Sequence, residues 1–208
     1  MKRFLLSILF VAASSLAFAQ TQLSATHSQE VMTQLTQAAA SMQTMQCRFV
    51  QEKISTMLAE PSIAEGIMLY VASDKMRWEY TSPYAFALLV NGERIVKVTY
   101  GKAEVLDAKS GRMYQGMVNL IMGSASGKNL FDTSVFDIVM YDDGAWWRAD
   151  MTPKRRDMKR MFSQLVFRFD KQTQCISRVE FVEASGDVTS IRFEDIRLNE
   201  EIRGEKFQ

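Results

Sequence analysis

Alternation of apolar with polar residues is the dominant pattern from Cys47 onward. Residues 76–81, 165–170, 178–181 and 191–194 each place apolar side chains at every second position, mostly with charged residues between them. A period of two is typical of strands that are buried on one face. Turn-forming sequences separate these runs: Ser82-Pro83, Asn91-Gly92, Ser110-Gly111, Asp143-Gly144 and Ser185-Gly186-Asp187. The pattern predicts a meander of short antiparallel strands, roughly nine to eleven of them, in one large curved sheet.

The segment before the strands has a helical period instead. Thr26 and Gln29 have the spacing of a capping box, which predicts a helix over Thr26–Met45. Its apolar stripe consists of Met32, Leu35, Ala39 and Met42. Because this stripe is weak and rich in alanine, we expect the helix to lie over the sheet rather than at the centre of the core.

Two later segments interrupt the strand pattern. Met113–Met122 carries Met113, Met117, Leu120 and Ile121 at helical spacing. Pro153–Met161 has a proline where the first turn of a helix accepts one. We expect one or two short helices here, which together with the first helix and the sheet describe an α+β domain.

The first nineteen residues have the features of a secretory signal. Lys2 and Arg3 precede the apolar stretch Phe4–Ala13, and Ala17-Phe18-Ala19 carries small residues at the positions that a signal peptidase recognises. The apolar stretch is short for a membrane anchor. We therefore expect cleavage before Gln20, export to the periplasm, and a single domain over residues 20–208.

Charge and cysteine content narrow the function further. The chain has 25 Lys and Arg residues against 24 Asp and Glu residues, so it presents no strong field to attract nucleic acid. Cys47 and Cys175 are the only cysteines. They are compatible with one disulfide in an oxidising compartment or with two free thiols, and their spacing indicates no metal site.

Residues for catalysis are scarce. His27 is the only histidine, and it lies near the expected cleavage site, outside the predicted sheet. Serine or cysteine hydrolases would need it beside their nucleophile. The sequence contains no glycine loop of the kind that cradles phosphate, and no spacing distinguishes a catalytic pair among the acidic residues. We expect a protein that is not an enzyme and needs no cofactor.

The chain is rich in apolar residues rather than in catalytic groups. The sequence has 14 methionines, whose flexible, polarisable side chains suit surfaces that accept variable apolar ligands. An ordinary methionine-rich core is the alternative. A basic run, Lys154-Arg155-Arg156 followed by Lys159-Arg160, is compatible with contact to lipid headgroups or with a simple solvated surface.

Several short motifs occur in an order that resembles a known family. They are Phe49-x-Gln51, Gly66 at the start of a strand, Arg77-Trp78-Glu79-Tyr80-Thr81-x-Pro83-Tyr84, Asn91-Gly92, Thr152-Pro153, and Gly186-Asp187-x-Thr189-x-Ile191-x-Phe193. With the signal peptide and the first helix, this series resembles the LolA family of outer-membrane lipoprotein carriers over nearly the whole mature chain.

The resemblance implies an open, unclosed antiparallel β-barrel of about eleven strands with a helical lid. It also implies a monomeric periplasmic carrier that holds the acyl chains of lipoproteins and needs no cofactor. An inner-membrane lipoprotein-releasing complex and an outer-membrane acceptor would load and unload it. The residues expected to bind the ligand are Phe49, Met68, Tyr70, Met76, Trp78, Tyr80, Leu88, Met117, Leu120, Ile121, Phe167 and Phe181.

One position departs from the family pattern. Well-known members have a Lys-Arg-Pro turn before the tryptophan strand, and its arginine helps to hold the lid. The matching stretch here is Val71-Ala72-Ser73, so Ala72 takes the place of the arginine. Two alternatives therefore accompany the lipoprotein carrier: a sensor of lipid or envelope stress on the same fold, and a carrier of another hydrophobic ligand.

Overall fold

The structure, a computed structural model, describes residues 20–72, 74–106 and 130–207. The expected signal peptide, the Ser110-Gly111 turn and the helix expected at Met113–Met122 lie outside the described residues. Met117, Leu120 and Ile121 are among the residues that fall there.

Twelve strands, two α-helices and a short 3₁₀-helix make up the described part of the chain. The strands are β1 (Thr21–Gln22), β2 (Thr44–Ile54), β3 (Ser62–Val71), β4 (Lys75–Ser82), β5 (Phe86–Asn91), β6 (Arg94–Thr99), β7 (Lys102–Val105), β8 (Phe136–Asp143), β9 (Trp146–Pro153), β10 (Phe162–Asp170), β11 (Ile176–Glu183) and β12 (Val188–Leu198). The helices are α1 (Ala25–Ser41), α2 (Arg156–Lys159) and the 3₁₀-helix Gly204–Phe207.

All twelve strands form one antiparallel sheet in the order β1-β8-β9-β10-β11-β12-β2-β3-β4-β5-β6-β7. Since β1 and β7 occupy opposite ends of this order, the sheet does not close on itself. The predicted α+β fold with an open, barrel-like antiparallel sheet is confirmed. Because α1 joins β1 at one end of the order to β2 in its middle, the helix has to cross the sheet.

The period of two places the apolar residues on one face, which we call the inner face. Buried side chains from strands β2–β6 and β8–β12 form a single cluster there. Val31 and Leu35 of α1 belong to the same cluster, so the helix packs against the inner face. The expectation that α1 lies over the sheet is met.

Charged residues alternate with the core on the outer face and form ion pairs both within a strand and between neighbouring strands. Arg148 binds Asp150 through Nε and Nη2, at 2.6 and 2.8 Å. Arg168 donates to Glu180 at 2.7 Å, and Arg178 lies 3.0 Å from the same carboxylate. These side chains remain partly exposed, so each pair contributes modestly to stability. Arg168 and Arg178 lie directly opposite each other, and the Glu180 carboxylate pairs with both.

The predicted start of the helix is wrong by one residue, and the predicted N-cap residue is wrong as well. Ser24, not Thr26, is the N-cap, and its side chain accepts a hydrogen bond from the His27 backbone N–H at 3.3 Å. Serine at this place satisfies a donor that no helical carbonyl can reach.

The predicted end of the helix is also wrong. The helix ends at Ser41 because strand β2 already begins at Thr44, where Met45 turns its side chain into the core. Val31, which the predicted stripe omits, is one of the two buried residues of α1.

The helix predicted over Pro153–Met161 is shorter than expected. Pro153 is the last residue of β9, where it pairs with Phe136, and only Arg156–Lys159 is helical. In the basic run, Lys154 pairs with Asp137 at 3.0 Å, and Arg155 pairs with its own neighbour on the helix, Asp157, at 2.7 Å.

The end of the described chain folds back over the outer face of the sheet. The 3₁₀-helix contacts β4 and β5, Phe207 is buried, and Arg77 Nη1 donates to the Lys206 carbonyl at 3.0 Å. Beneath this segment lies a cleft of about 710 Å³ with basic, acidic and apolar walls. Ala87 and Leu89, which point away from the inner face, are nevertheless buried.

Candidate ligand-binding site

Strand register brings most of the predicted ligand-binding residues onto one face. Trp78 of β4 lies opposite Met68 of β3 on one side and Leu88 of β5 on the other. Tyr70 lies opposite Met76 one step along. Residues directly opposite in an antiparallel pair point to the same side, so the charged alternates of this region face away from the cluster.

The same residues are almost completely removed from solvent. The buried members of the predicted set are Phe49, Met68, Tyr70, Met76, Trp78, Leu88, Phe167 and Phe181. Tyr80 is partly buried and packs against this cluster. Phe167 and Phe181 lie on β10 and β11, on the other side of β12 and β2, so the site extends across the sheet.

Aromatic rings cover the centre of the inner face. Phe49 stacks on Trp78 with ring centroids 4.1 Å apart, and Tyr80 meets the Phe49 ring edge-on at 5.2 Å. Phe193 of β12 meets Trp78 edge-on at 6.2 Å. Offset and edge-to-face packing of this kind stabilises aromatic groups beyond their buried area. Phe49, Trp78, Tyr80 and Phe193 together form what we call the aromatic floor.

Gly66 makes this packing possible. It lies opposite Phe49 in the β2–β3 pair, beside a register irregularity between β3 and β4. A Cβ at this position would overlap the backbone carbonyl oxygen of Glu79 and the ring of Phe49. A glycine within a strand often marks close approach of this sort. Its lack of a side chain lets the Phe49 ring lie over β3.

Polarity changes along the inner face. In β2 the residues that point inward run from Met45, Cys47 and Phe49 to Gln51 and Lys53. Burial raises the pKa of the Cys47 thiol to about 12, so Cys47 behaves as an apolar residue. The face is therefore apolar near Met45 and polar toward Lys53.

Tyr80 lies where the inner face changes from apolar to polar. Its hydroxyl donates to Gln51 Oε1 at 2.9 Å. Burial raises the pKa of the Tyr80 hydroxyl, and the nearby indole N–H of Trp78 opposes that shift by a smaller amount. The phenol therefore stays neutral at physiological pH and acts as a polar but uncharged group.

A cavity remains between α1 and the sheet. It measures about 140 Å³ and lies under the C-terminal half of the helix, against the β10–β11 hairpin. Its apolar walls include Leu35, Met42, Met45, Phe169 and Ile176. Apolar cavities of about this size hold a benzene-sized molecule, so a long alkyl chain requires the helix to move.

Ala72, at the place of the family's latch arginine, is partly buried against the core. Its backbone N–H donates to the Gln43 carbonyl at 2.8 Å, which ties the end of β3 to the connection between α1 and β2. The link at this end of the helix is therefore made by the backbone and not by a long cationic side chain.

Other candidate groups lie outside the site or on its border. Cys47 and Cys175 are both free thiols, and Cys175 lines the cavity under α1. His27 is exposed and meets the Trp147 ring edge-on at 5.6 Å. Within residues 20–72, 74–106 and 130–207, no group of three histidine, cysteine or acidic side chains is placed to hold a metal ion.

Several core residues of the inner face are missing from the predicted set: Met45, Met140, Met151, Leu165 and Phe193. Phe193 and Leu165 follow the strand alternation, so parity alone places them on the inner face. Met45 is missing from the predicted set because the predicted helix included it. Among the described residues, none of the helices is long and apolar enough to cross a membrane.

Solved structures with a similar fold come from several bacteria. One chain of the Pseudomonas aeruginosa MucA/MucB complex matches with a TM-score of 0.53 and 10% identity, covering 88% of this chain and 60% of that chain. An uncharacterised conserved protein from Thermus thermophilus matches with a TM-score of 0.51 and 10% identity, covering 88% and 93%. A DUF1329 family protein from Desulfovibrio piger matches with a TM-score of 0.50 and 10% identity, covering 88% and 96%. At these identities the likeness concerns the fold.

Comparison with curated protein sequences finds no significant match. The family model described as "Outer membrane lipoprotein carrier protein LolA" matches residues 40–208, which include strands β2–β12 and the aromatic floor. The chain therefore belongs to the LolA family.

Proposed function

We propose that this protein is a periplasmic carrier that holds the acyl chains of lipid-modified proteins against its inner face and moves them toward the outer membrane. The observation that carries the proposal is the cavity under the C-terminal half of α1. Native cores are packed as densely as organic crystals and leave few voids larger than a water molecule. A cavity with apolar walls between α1 and the β10–β11 hairpin is where an acyl chain would enter.

The attachment of α1 supports this role. Only Val31 and Leu35 of the helix are buried, at about 1.5–3 kcal/mol for each fully buried aliphatic side chain. An acyl chain gains about 0.8 kcal/mol for each CH₂ that it buries. A long chain therefore offers more apolar burial than the helix gives up when it lifts, and displacement of α1 by the ligand is energetically reasonable.

The buried methionines support the same proposal, because they bear on which ligands the inner face accepts. Six of the buried core residues are methionines: Met42, Met45, Met68, Met76, Met140 and Met151. Their side chains adapt to irregular apolar shapes, which suits a carrier whose cargo varies in chain length. No catalytic residue or cofactor is part of the proposal.

Filling the cavity tests the proposal. Ala39 lines the cavity, whereas its neighbour Ala40 is exposed and does not. We expect Ala39→Leu to lower the affinity for a fluorescent fatty-acyl probe several-fold while thermal stability stays the same or rises, because the added methyl groups occupy the space that the probe needs. The matched control Ala40→Leu should leave the affinity unchanged. Equal affinity of both variants and the wild type would place the ligand elsewhere, and failure of the wild type to bind the probe would reject the carrier function.

A further inference from the structure

Exposed apolar side chains are concentrated along one rim of the sheet. The connections β2–β3, β4–β5, β6–β7, β9–β10 and β11–β12 all lie at this rim, and α2 is part of the β9–β10 connection. We call it the α2 rim. Among the described residues, nine large apolar side chains are exposed, and seven of them lie at the α2 rim. The other two, Val105 and Trp146, lie at the opposite rim.

The turn of the β2–β3 hairpin is the most exposed part of the α2 rim. Met57 and Leu58 occupy this turn, with 91% and 60% of their surfaces exposed, and Ile54 is exposed at its base. The turn has a fixed conformation, because the Thr56 backbone N–H and hydroxyl both donate to the Asp187 carboxylate, at 2.9 and 3.1 Å. Single apolar residues at a surface are normal, but a cluster of them on a fixed turn indicates a contact surface.

Three cations without an acidic partner lie at the same rim. Arg156, Lys159 and Arg160 are exposed, and none of them forms an ion pair with a described residue. The nearby carboxylates of Asp137 and Asp157 are already paired with other cations. Uncompensated positive charge beside exposed apolar side chains is suited to an anionic lipid surface.

The cations and the hairpin belong to one continuous surface. Exposed Met161 follows the basic segment directly, and its carbonyl accepts a hydrogen bond from the Ala184 backbone N–H at 3.0 Å. Ala184 begins the β11–β12 turn, which holds the hairpin through Asp187. Three strand spacings separate β10 from β2 in the sheet order, which corresponds to about 14 Å. A flat surface can therefore contact both groups at once.

A lipid surface suits the α2 rim better than a folded protein partner does. Met57, Leu58 and Met161 project from separate connections, and none of them lines the cleft on the outer face or the cavity under α1. A fluid headgroup layer accepts projecting side chains without a matching pocket. Exposed Tyr84 and Tyr100 lie at the next turns of the rim, and tyrosine is enriched where proteins meet the membrane–water interface.

We propose that the α2 rim binds the surface of a membrane that contains anionic phospholipid. Met57 and Leu58 enter the headgroup layer, and Arg156, Lys159 and Arg160 lie against the lipid phosphates. This contact is separate from the proposed acyl-chain site and does not depend on it. Each cation contributes about a fivefold gain in affinity at an anionic surface.

Vesicle flotation tests the apolar part of the contact. The mature protein should float with vesicles of three parts phosphatidylcholine and one part phosphatidylglycerol. Met57→Ser combined with Leu58→Ser should weaken this binding about tenfold. The matched control, Val105→Ser combined with Trp146→Ser, removes exposed apolar side chains from the opposite rim and should bind as the wild type does. Thermal unfolding checks that both variants are folded.

A second variant tests the charges. Replacing Arg156, Lys159 and Arg160 together with glutamine should bring the affinity for these vesicles close to that for pure phosphatidylcholine. The control Arg94→Gln removes an exposed cation from the opposite rim and should retain the preference for phosphatidylglycerol. Added salt should weaken binding of the wild type far more than binding of the glutamine variant.

The outcomes separate this proposal from the carrier function. Ala39→Leu should lose affinity for the acyl probe and keep vesicle binding, because Ala39 lines the cavity and not the rim. No flotation of the wild type, flotation that survives in the Met57 and Leu58 variant, or no preference for phosphatidylglycerol would overturn the inference and leave the carrier function standing. If the wild type does not float but the same variant slows delivery of cargo to isolated outer membranes, the rim contacts a protein instead, which also overturns the inference.

Discussion

Replacing Gly66 with alanine tests whether the aromatic floor depends on the close approach of β2, β3 and β4. The new methyl group would lie 2.7 Å from Phe49 Cε1 and would overlap the Glu79 carbonyl oxygen. A side chain can rotate away from a methyl group, but a carbonyl that belongs to the sheet moves only with its strand. Overpacking typically costs 1–3 kcal/mol, and because backbone is involved we expect about 3 kcal/mol or more for Gly66→Ala.

The assay is chemical denaturation followed by circular dichroism, with Gly204→Ala as the matched control. No atom lies within 4 Å of the Cβ position at Gly204, so that substitution should change stability by less than about 1 kcal/mol, in the stabilising direction. An unchanged denaturation midpoint for Gly66→Ala, with the slope of the wild type, would refute the reasoning.

A second substitution separates the two contacts. Phe49→Leu removes the ring that the methyl group meets and leaves the Glu79 carbonyl where it is. If the backbone contact dominates, the Gly66→Ala change should cost nearly as much in the Phe49→Leu background as in the wild type. Full rescue by Phe49→Leu would show that the ring alone is responsible.

Three other predictions concern the helix, the thiols and one carboxylate. Amide hydrogens of α1 should exchange with solvent faster than those of the central strands β2 and β12, because two buried side chains hold the helix; equal protection would argue against a mobile lid. Under native conditions at pH 8, a thiol reagent should modify half-buried Cys175 before Cys47, whose pKa of about 12 reflects its burial, and Cys175→Ser should abolish the faster phase. The Thr56 backbone N–H lowers the pKa of Asp187, so its ionised form stabilises the folded state above the ordinary carboxyl pKa of about 4, and the benefit is lost as the pH falls through the folded pKa. The stability difference between the wild type and Asp187→Asn should accordingly shrink in acid, and a constant difference down to pH 2 would contradict this assignment.

Local pattern predicted the antiparallel sheet and its inner face, because the alternation of apolar and polar residues is visible within each strand. It gave nine to eleven strands, whereas the described residues form twelve. It placed Trp78, Met68 and Leu88 on one side, and the register agrees. The helix boundaries were harder to predict from the sequence, since Ser24 and Thr26 are both good N-cap residues. Only the folded chain shows that Ser24 is the N-cap.

The functional details depended on contacts between distant residues. The role of Gly66 requires its pairing with Phe49 and the approach of β4, neither of which the alternation contains. The cavity under α1 likewise results from packing between the helix and strands far apart in sequence. Such features are properties of the assembled sheet and have no local signal.

Native mass spectrometry of the protein purified without detergent from bacterial envelopes tests the central claim most directly. If the inner face carries acyl chains, a fraction of the chain should be recorded with an added mass that dissociates as a lipid or a lipid-modified protein. Ala39→Leu should reduce that fraction and Ala40→Leu should preserve it. Only the bare mature mass in wild type and both variants, under conditions that retain lipid on a known lipid carrier, would contradict the account.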